Sequence, residues 1–257
     1  MSTILFDHIV FGPIKSRRLG NSLGINLLPK HGKWCSFDCI YCECGWNKDG
    51  KKDNILPTAD QVKEALKTKL ETSIKEKIPI DTITFSGNGE PTMNPDFPKI
   101  IDITLRLRDE LYPKAKVSVL TNSSQINKKE VREALMRIDN PILKIDSAIE
   151  EYVKIINRPN AAYSLTQTIE NIKLFHSDFI LQTMFLKGGD NINIDCTNPE
   201  HCEAWRNLVR EIKPREIMMY TIDRETPAKN LQKVTIQEME KIAEPLIKEG
   251  FFVQIRG

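Results

Sequence analysis

Apolar positions along this 257-residue chain switch between a period of about two and one of about 3.6, the signatures of strands and helices in alternation. Ser22 to Leu28 reads as an apolar strand ended by Pro29. Thr58 to Gln61 forms a capping box ahead of Val62, Ala65, Leu66 and Leu70 at helical spacing. Asp81 to Ser86 alternates as a second strand and breaks at Gly87, and Phe97, Ile100, Ile101, Leu105 and Leu107 mark the helix behind it. Lys116 to Thr121 is the third strand, with a helix capped within Asn127 to Glu130. Pro141 to Asp146 is the fourth, and a capping box at Ser164 to Gln167 opens a helix through Ile169, Ile172 and Phe175. Phe179 to Leu186 is the fifth, backed by a helix around Trp205, Leu208 and Ile212. Glu216 to Thr221 is the sixth; Thr235 to Glu238 caps the last helix, Gly250 stops it, and Phe251 to Ile255 closes the chain as a strand. Six βα units in a row demand a parallel sheet, because each helix returns the chain to the same edge. Periodicity leaves two architectures open, a doubly wound open sheet and a curved partial barrel.

The strand ends carry the chemistry. Just past the first strand lies Cys35-Ser-Phe-Asp-Cys39-Ile-Tyr41-Cys42, a C-x3-C-x2-C run with an aromatic before its last cysteine. Structural zinc takes four protein ligands, and electron-transfer iron–sulfur clusters take four thiolates. Three thiolates suit one face of an iron–sulfur cluster and leave an iron open to bind a substrate or cofactor. Past the second strand comes Gly87-Asn88-Gly89-Glu90-Pro91. Its glycines let backbone approach a ligand closely, and Glu90 offers a carboxylate to a cationic group. The bland reading of that element is a strand-to-loop turn with a solvated glutamate.

Cys35, Cys39, Tyr41 and Cys42 match the signature of the radical S-adenosylmethionine (radical SAM) enzymes, and Gly87 to Pro91 resembles a variant of their Gly-Gly-Glu motif. The resemblance implies a partial (β/α)6 TIM-like barrel with the active site at the C-terminal strand ends. It implies a 4Fe–4S cluster held by Cys35, Cys39 and Cys42, whose open iron chelates S-adenosylmethionine. Reductive cleavage would then give a 5′-deoxyadenosyl radical that abstracts hydrogen from a substrate, with the electron coming from an external donor of flavodoxin or ferredoxin type. Gly87, Asn88, Gly89 and Glu90 would hold the methionine amino group, and Tyr41 would pack on the adenine. Asn122, Asp146 and Ser147 would steady the nucleoside, although Ser, Asn and Asp at strand ends also serve as helix caps. The fifth strand lacks the glycine-rich pattern that contacts adenine in some members.

Phe11 to Gly20, Leu23 to Asn26, Phe85 to Thr92, Thr121 to Ser123, Ile156 to Pro159 and Tyr220 to Arg224 extend the likeness to one branch, the wybutosine-synthesis-like iron–sulfur oxidoreductases. That branch raises tRNA as an alternative substrate. Lys15, Arg17, Arg18, Lys30, Lys33, Lys48, Lys51 and Lys52 make the N-terminal region locally basic, which suits phosphates or simply a solvated loop. The net charge of +2 excludes nucleic-acid binding driven by bulk charge. A non-catalytic zinc or electron-transfer protein is the third reading, opposed by the missing fourth ligand.

Composition changes this picture little. Hydrophobic residues at 40% and charged residues at 28% are globular values, and the length fits one domain over residues 1–257, with 1–21 as an N-terminal extension and 22–257 as the barrel core. No apolar run reaches membrane-spanning length, and Asp7, His8, Pro13 and Lys15 interrupt any signal-peptide core, so a cytoplasmic protein with reduced thiols is expected. Cys44, Cys196 and Cys202 are left over. With His201 these three raise an auxiliary metal site, but no cysteine-rich C-terminal segment accompanies them.

Overall fold

The computed structural model describes residues 4–16, 19–50, 53–190, 192 and 194–257. Its first strand is one that periodicity missed. β1 (Val10–Ser16) folds back antiparallel on β2 (Gly20–Ile25), so the expected N-terminal extension is an edge of the main sheet. β1 escapes an alternation test because its register shifts between Phe11 and Ile14. The ring of Phe11 lies where a side chain on Gly24 would stand: a Cβ there would fall 2.2 Å from the ring.

The βα alternation then follows. α1 (Ala59–Lys75) starts from the Thr58–Gln61 capping box, with both halves formed. β3 (Thr82–Phe85) leads to α2 (Phe97–Leu111), and β4 (Lys116–Thr121) leads to α3 (Lys129–Leu135). The cap of α3 is Lys128, which makes no side-chain cap bond, so the capping role expected near Asn127 is not played. β5 (Asn140–Lys144) is followed by α4 (Glu150–Ile156), a short helix that sequence reading missed, and α5 (Leu165–Lys173). Ser164 caps α5 through the Gln167 amide alone, half of the expected box.

The expected fifth strand is two strands. β6 (Ile180–Met184) stays in the main sheet, while β7 (Leu186–Gly188) pairs antiparallel with β8 (Ile194–Asp195) in a separate small sheet. α6 (Pro199–Ile212), β9 (Glu216–Tyr220), β10 (Leu231–Lys233), α7 (Ile236–Lys248) and β11 (Val253–Arg256) complete the chain, with β10 joining β7.

The main sheet has the order β1-β2-β3-β4-β5-β6-β9-β11, parallel throughout except for β1. This order decides between the two architectures. A doubly wound sheet reverses direction from a central strand. Here every new parallel strand is added on the same side, so right-handed crossovers lay all the helices on one face and the sheet curls into a half-barrel.

The two faces differ in chemistry. On the helix side Ile83, Phe85, Val117 and Val119 are fully buried, with Phe85 meeting Phe97 of α2 edge to face. On the concave side Ser22 donates to Thr84 at 2.8 Å, Thr82 and Ser118 share a hydrogen bond at 3.1 Å, and Asn140 donates to Ser118 at 3.0 Å. Above them Ile142, Ile180 and Met218 form a small apolar floor with Leu19 and Leu120. The concave face is thus polar where it is packed and opens at the C-terminal strand ends. No helix is long and apolar enough to cross a membrane among the described residues.

Trp205 anchors the helix side at 0% exposure, donating its indole N–H to Thr183 of β6 at 3.0 Å. Trp205→Ala should lower the unfolding free energy by about 3–5 kcal/mol, the usual cost of emptying an aromatic core site, read as a reduced denaturant midpoint.

Candidate active site

The cysteine loop is sutured on both flanks. On one side Trp34 donates its amide to the Asn88 carbonyl at 2.8 Å and accepts from the Glu90 amide at 3.1 Å, forming a parallel bridge to Gly89. Gly89 has φ +141°, and a Cβ there would lie 1.9 Å from the Trp34 carbonyl oxygen, so only glycine allows this approach. On the other side Asp38 and Ile40 donate their amides to the carbonyls of Asn157 and Ile156, each at 2.9 Å, at the C-terminal end of α4. Within the loop, Cys42 N–H to the Cys39 carbonyl at 3.2 Å and Gly45 N–H to the Cys42 carbonyl at 2.9 Å make the turns that aim the thiols inward.

Cys35, Cys39, Cys42 and Cys44 then line one cavity of about 220 Å³ together with Gly87, Gly89, Glu90 and Asn122. Three amide donors reach its sulfurs: Phe37 N–H at 3.4 Å and Asn122 Nδ2 at 3.5 Å from Cys35, and Asn157 Nδ2 at 3.5 Å from Cys39. Such donors favour the thiolate form that a metal requires. Burial works against it, holding the Cys35 and Cys39 thiols above the usual range. The Cys44 thiol, by hydrogen bonding, draws Cys42 down. Lys33, assigned from sequence to a basic surface, is instead buried here. Burial opposes its charge, but Cys42, Cys35 and Cys39 outweigh that and keep the ammonium above its ordinary value. Arg17, Arg18, Lys51 and Lys52 of the same basic region lie outside the described residues.

Glu90 is 2% exposed and four donors hold its carboxylate. One oxygen accepts from Thr92 N–H at 3.1 Å, Thr92 Oγ1 at 2.5 Å and Thr121 Oγ1 at 2.7 Å; the other accepts from Asn122 N–H at 2.6 Å. Desolvation still wins, so its pKa stands above the ordinary value of 4.5.

Other residues singled out from sequence do different work. Asn88 is fully buried and does not line the cavity; it staples the Phe6 backbone and the Pro29 carbonyl at 2.7–2.9 Å. Ser147 is also fully buried and caps a turn, accepting from Ile149 N–H at 2.9 Å. Asp146 lies beneath the site, not in its wall. It accepts from the Tyr41 hydroxyl, from Asn157 Nδ2 at 2.5 Å and from Met184 N–H at 2.9 Å, and pairs with Lys144 at 3.5 Å. Tyr41 does line the cavity, and the Lys144 ammonium sits 4.3 Å from its ring centroid.

Two wall residues had no motif to announce them, Lys144 and Gln182 on the concave faces of β5 and β6, and Tyr220 of β9, which opens the Tyr220–Arg224 run, joins them. Inward alternation on those strands was the available signal. Burial opposes the charge on Lys144, but Asp146 and its neighbours outweigh it and hold its pKa above the ordinary lysine value. Gln182 is 5% exposed and lines the cavity. Asn157, which supports both Cys39 and Asp146, was likewise missed as a site residue.

A second cavity of about 330 Å³ adjoins the first. Tyr41, Ser86, Leu120 and Tyr220 belong to both walls. The second is otherwise bounded by the N-terminal hairpin, through Phe6, Phe11 and Ser22, and by the loop after β9 from Thr221 to Thr226.

The remaining cysteines are core residues. Cys196 and Cys202 are 0% and 4% exposed, burial pushes Cys196 up to about 12, and His201 Nδ1 lies 3.0 Å from the Cys196 carbonyl oxygen. Among the described residues, no three His, Cys, Asp or Glu side chains are grouped as ligands of a single metal ion, and this holds for Cys196, Cys202 and His201 and for the three loop thiols alike.

A half-barrel whose strand ends gather three loop thiols and a glycine-rich turn is the architecture of radical SAM enzymes, and the sequence signature of that superfamily matches residues 30–196. The chain belongs to the radical SAM superfamily. It is 32% identical over 236 residues to a protein of Brachyspira hyodysenteriae named GTPase Obg, covering 90% of this chain and 32% of that one. It is 32% identical over 240 residues to a UPF0026 protein of Methanocaldococcus jannaschii, covering 91% of this chain and 70% of the relative. This chain thus spans about a third of the first relative's length. Among solved structures, TYW1 with a lysine–pyruvate adduct bound shares the fold at a TM-score of 0.63 and 16% identity, over 88% of this chain and 73% of that one.

Because burial raises Glu90's pKa in the fold, its contribution to stability is full below about pH 4.5 and is lost as pH rises through the folded value. Denaturant unfolding of wild type and Glu90→Gln across pH 4–7 should show wild type losing ground to the variant as pH rises. The opposite slope would mean that the hydrogen bonds outweigh burial.

Proposed function

We propose that this chain is a radical SAM enzyme in which Cys35, Cys39 and Cys42 hold a 4Fe–4S cluster and the Gly87–Glu90 turn receives S-adenosylmethionine. The observation that carries this reading is the common cavity. Three thiols supplied with amide donors, a backbone turn that tolerates no Cβ at Gly89, and a buried carboxylate all face one space. These features fit the group: the donors offset thiolate charge, and Glu90 suits a cationic amine. When bound, the cluster and cofactor supply reductive cleavage of the sulfonium and a 5′-deoxyadenosyl radical able to take hydrogen from a substrate.

The chain's own residues orient and insulate. Glu90, fixed by Thr92, Thr121 and Asn122, presents its carboxylate to the methionine amino group without rearranging. Asn122 and Gln182 offer amides, and Lys144 an ammonium, to the hydroxyls and carboxylate of the nucleotide-like ligand. Asp146 takes part through others, by fixing Tyr41 and Lys144 from below. Gly87 forms the near wall by backbone alone.

The second cavity is the substrate chamber in this reading, because it meets the cofactor cavity at Tyr41, Ser86, Leu120 and Tyr220. About 330 Å³ admits a small molecule or one reacting unit of a larger one. An external one-electron donor of flavodoxin or ferredoxin type completes the scheme.

Anaerobic reconstitution with iron and sulfide, reduction with dithionite and addition of S-adenosylmethionine should release 5′-deoxyadenosine. Cys39→Ala should abolish both cluster and product, and retained cleavage would remove the ligand assignment. Glu90→Ala should leave iron content intact while weakening cofactor binding tenfold or more, consistent with loss of a buried charge-assisted contact. Unchanged cofactor affinity would take that role from Glu90.

A further inference from the structure

The cysteine loop encloses an ion pair that the binding scheme leaves unused. Lys33 stands two residues before Cys35, with its side chain 1% exposed. Its ammonium donates to Asp38 Oδ1 at 3.1 Å and to the Gly45 carbonyl at 3.2 Å. Asp38 lies between Cys35 and Cys39, and the same oxygen accepts the Asn47 amide at 2.8 Å. Asn47 turns its side-chain amide onto the carbonyls of Cys35 and Phe37, at 3.0 and 3.1 Å. The ammonium is therefore bracketed by residues before the first thiol, between the first two and beyond the last.

A clasp that merely tied this loop would not need a charge. Lysine is among the residues least often fully buried, and removing an ammonium from water is costly unless something negative repays it. Asp38 repays part, but its side chain is 30% exposed and already shared with Asn47. The loop also carries Glu43, which pairs with Arg224, and Asp49, and its three thiols become thiolates once they hold a cluster. Resting on the cluster reading above, we propose that Lys33 is a positioning residue with an electrostatic role: its fixed charge favours the reduced, more negative state of the iron–sulfur cluster, and Asp38 orients and partly offsets it. Net charge around a cluster is one of the levers that set its reduction potential, and in a buried loop that charge is weakly screened.

Charge and scaffolding make opposite forecasts for two near-isosteric variants. Loss of the cation in Lys33→Met should make the cluster harder to reduce. Loss of the anion in Asp38→Asn, which still accepts from Lys33 and Asn47, should make it easier. A clasp without electrostatic function would move both variants the same way, or neither.

The measurement is a redox titration of the reconstituted full chain, followed by the spectrum of the reduced cluster, with iron and sulfide counted for each protein. The expected result is a tenfold change in the reduction equilibrium in opposite directions for Lys33→Met and Asp38→Asn, about 59 mV each way for one electron, with Lys33→Arg near wild type. Shifts of the same sign, or none, at full iron content would overturn the proposal while leaving the cluster reading intact. Should Lys33→Met fail to hold iron, the sign of the Asp38→Asn shift decides alone. A wild-type chain that takes up no iron and sulfide removes the cluster reading and this proposal with it.

Discussion

Everything at the strand ends depends on one backbone contact, the parallel bridge between Trp34 and Gly89. It joins two loops that leave neighbouring strands, which Asn88 ties again through the Pro29 carbonyl. The contact exists only because Gly89 lacks a side chain. From it the rest follows by short steps: Glu90 is delivered to Thr92, Thr121 and Asn122, and Asn122 in turn reaches Cys35 and Ser36. The thiol loop, the glycine-rich turn and the end of β4 are thereby one rigid unit. Such rigidity matters where a ligand must be met by preformed donors and not by donors that rearrange on its arrival.

Below that unit lies a buried polar layer of Tyr41, Lys144, Asp146 and Asn157. Individually these would be costly groups to bury; together they satisfy one another. Asp146 takes donors from three directions, and Asn157 extends the same network to Cys39. The network explains why a carboxylate at a strand end need not touch a ligand to shape its site. It sets the tilt of Tyr41 and the height of Lys144, the two side chains that form the floor.

The fold was legible where one face of an element is buried and its ends carry local punctuation. β4 and the α1 and α7 caps stand where periodicity and capping boxes put them, because these depend on residues close in sequence. β1 was hidden by its bulge, α4 by its brevity, and the break between β6 and β7 by an apolar run that continues across it. The curl of the sheet was not readable from periodicity at all, since it is a property of strand order. At the site, the cysteine run and the glycine-rich turn announced themselves because they set unusual residues at fixed spacing. Lys144, Gln182 and Asn157 did not, being ordinary polar residues brought together by topology. Asn88 and Ser147, singled out because they stand beside the motifs, satisfy backbone groups in the fold.

The wall shared by the two cavities has a consequence for timing. Tyr41, Ser86, Leu120 and Tyr220 separate the spaces by the thickness of single side chains, so whatever fills the larger cavity also displaces water from the boundary of the smaller. If the smaller cavity holds the cofactor as proposed, a guest seated first in the larger one would lie within a side chain's thickness of whatever forms there.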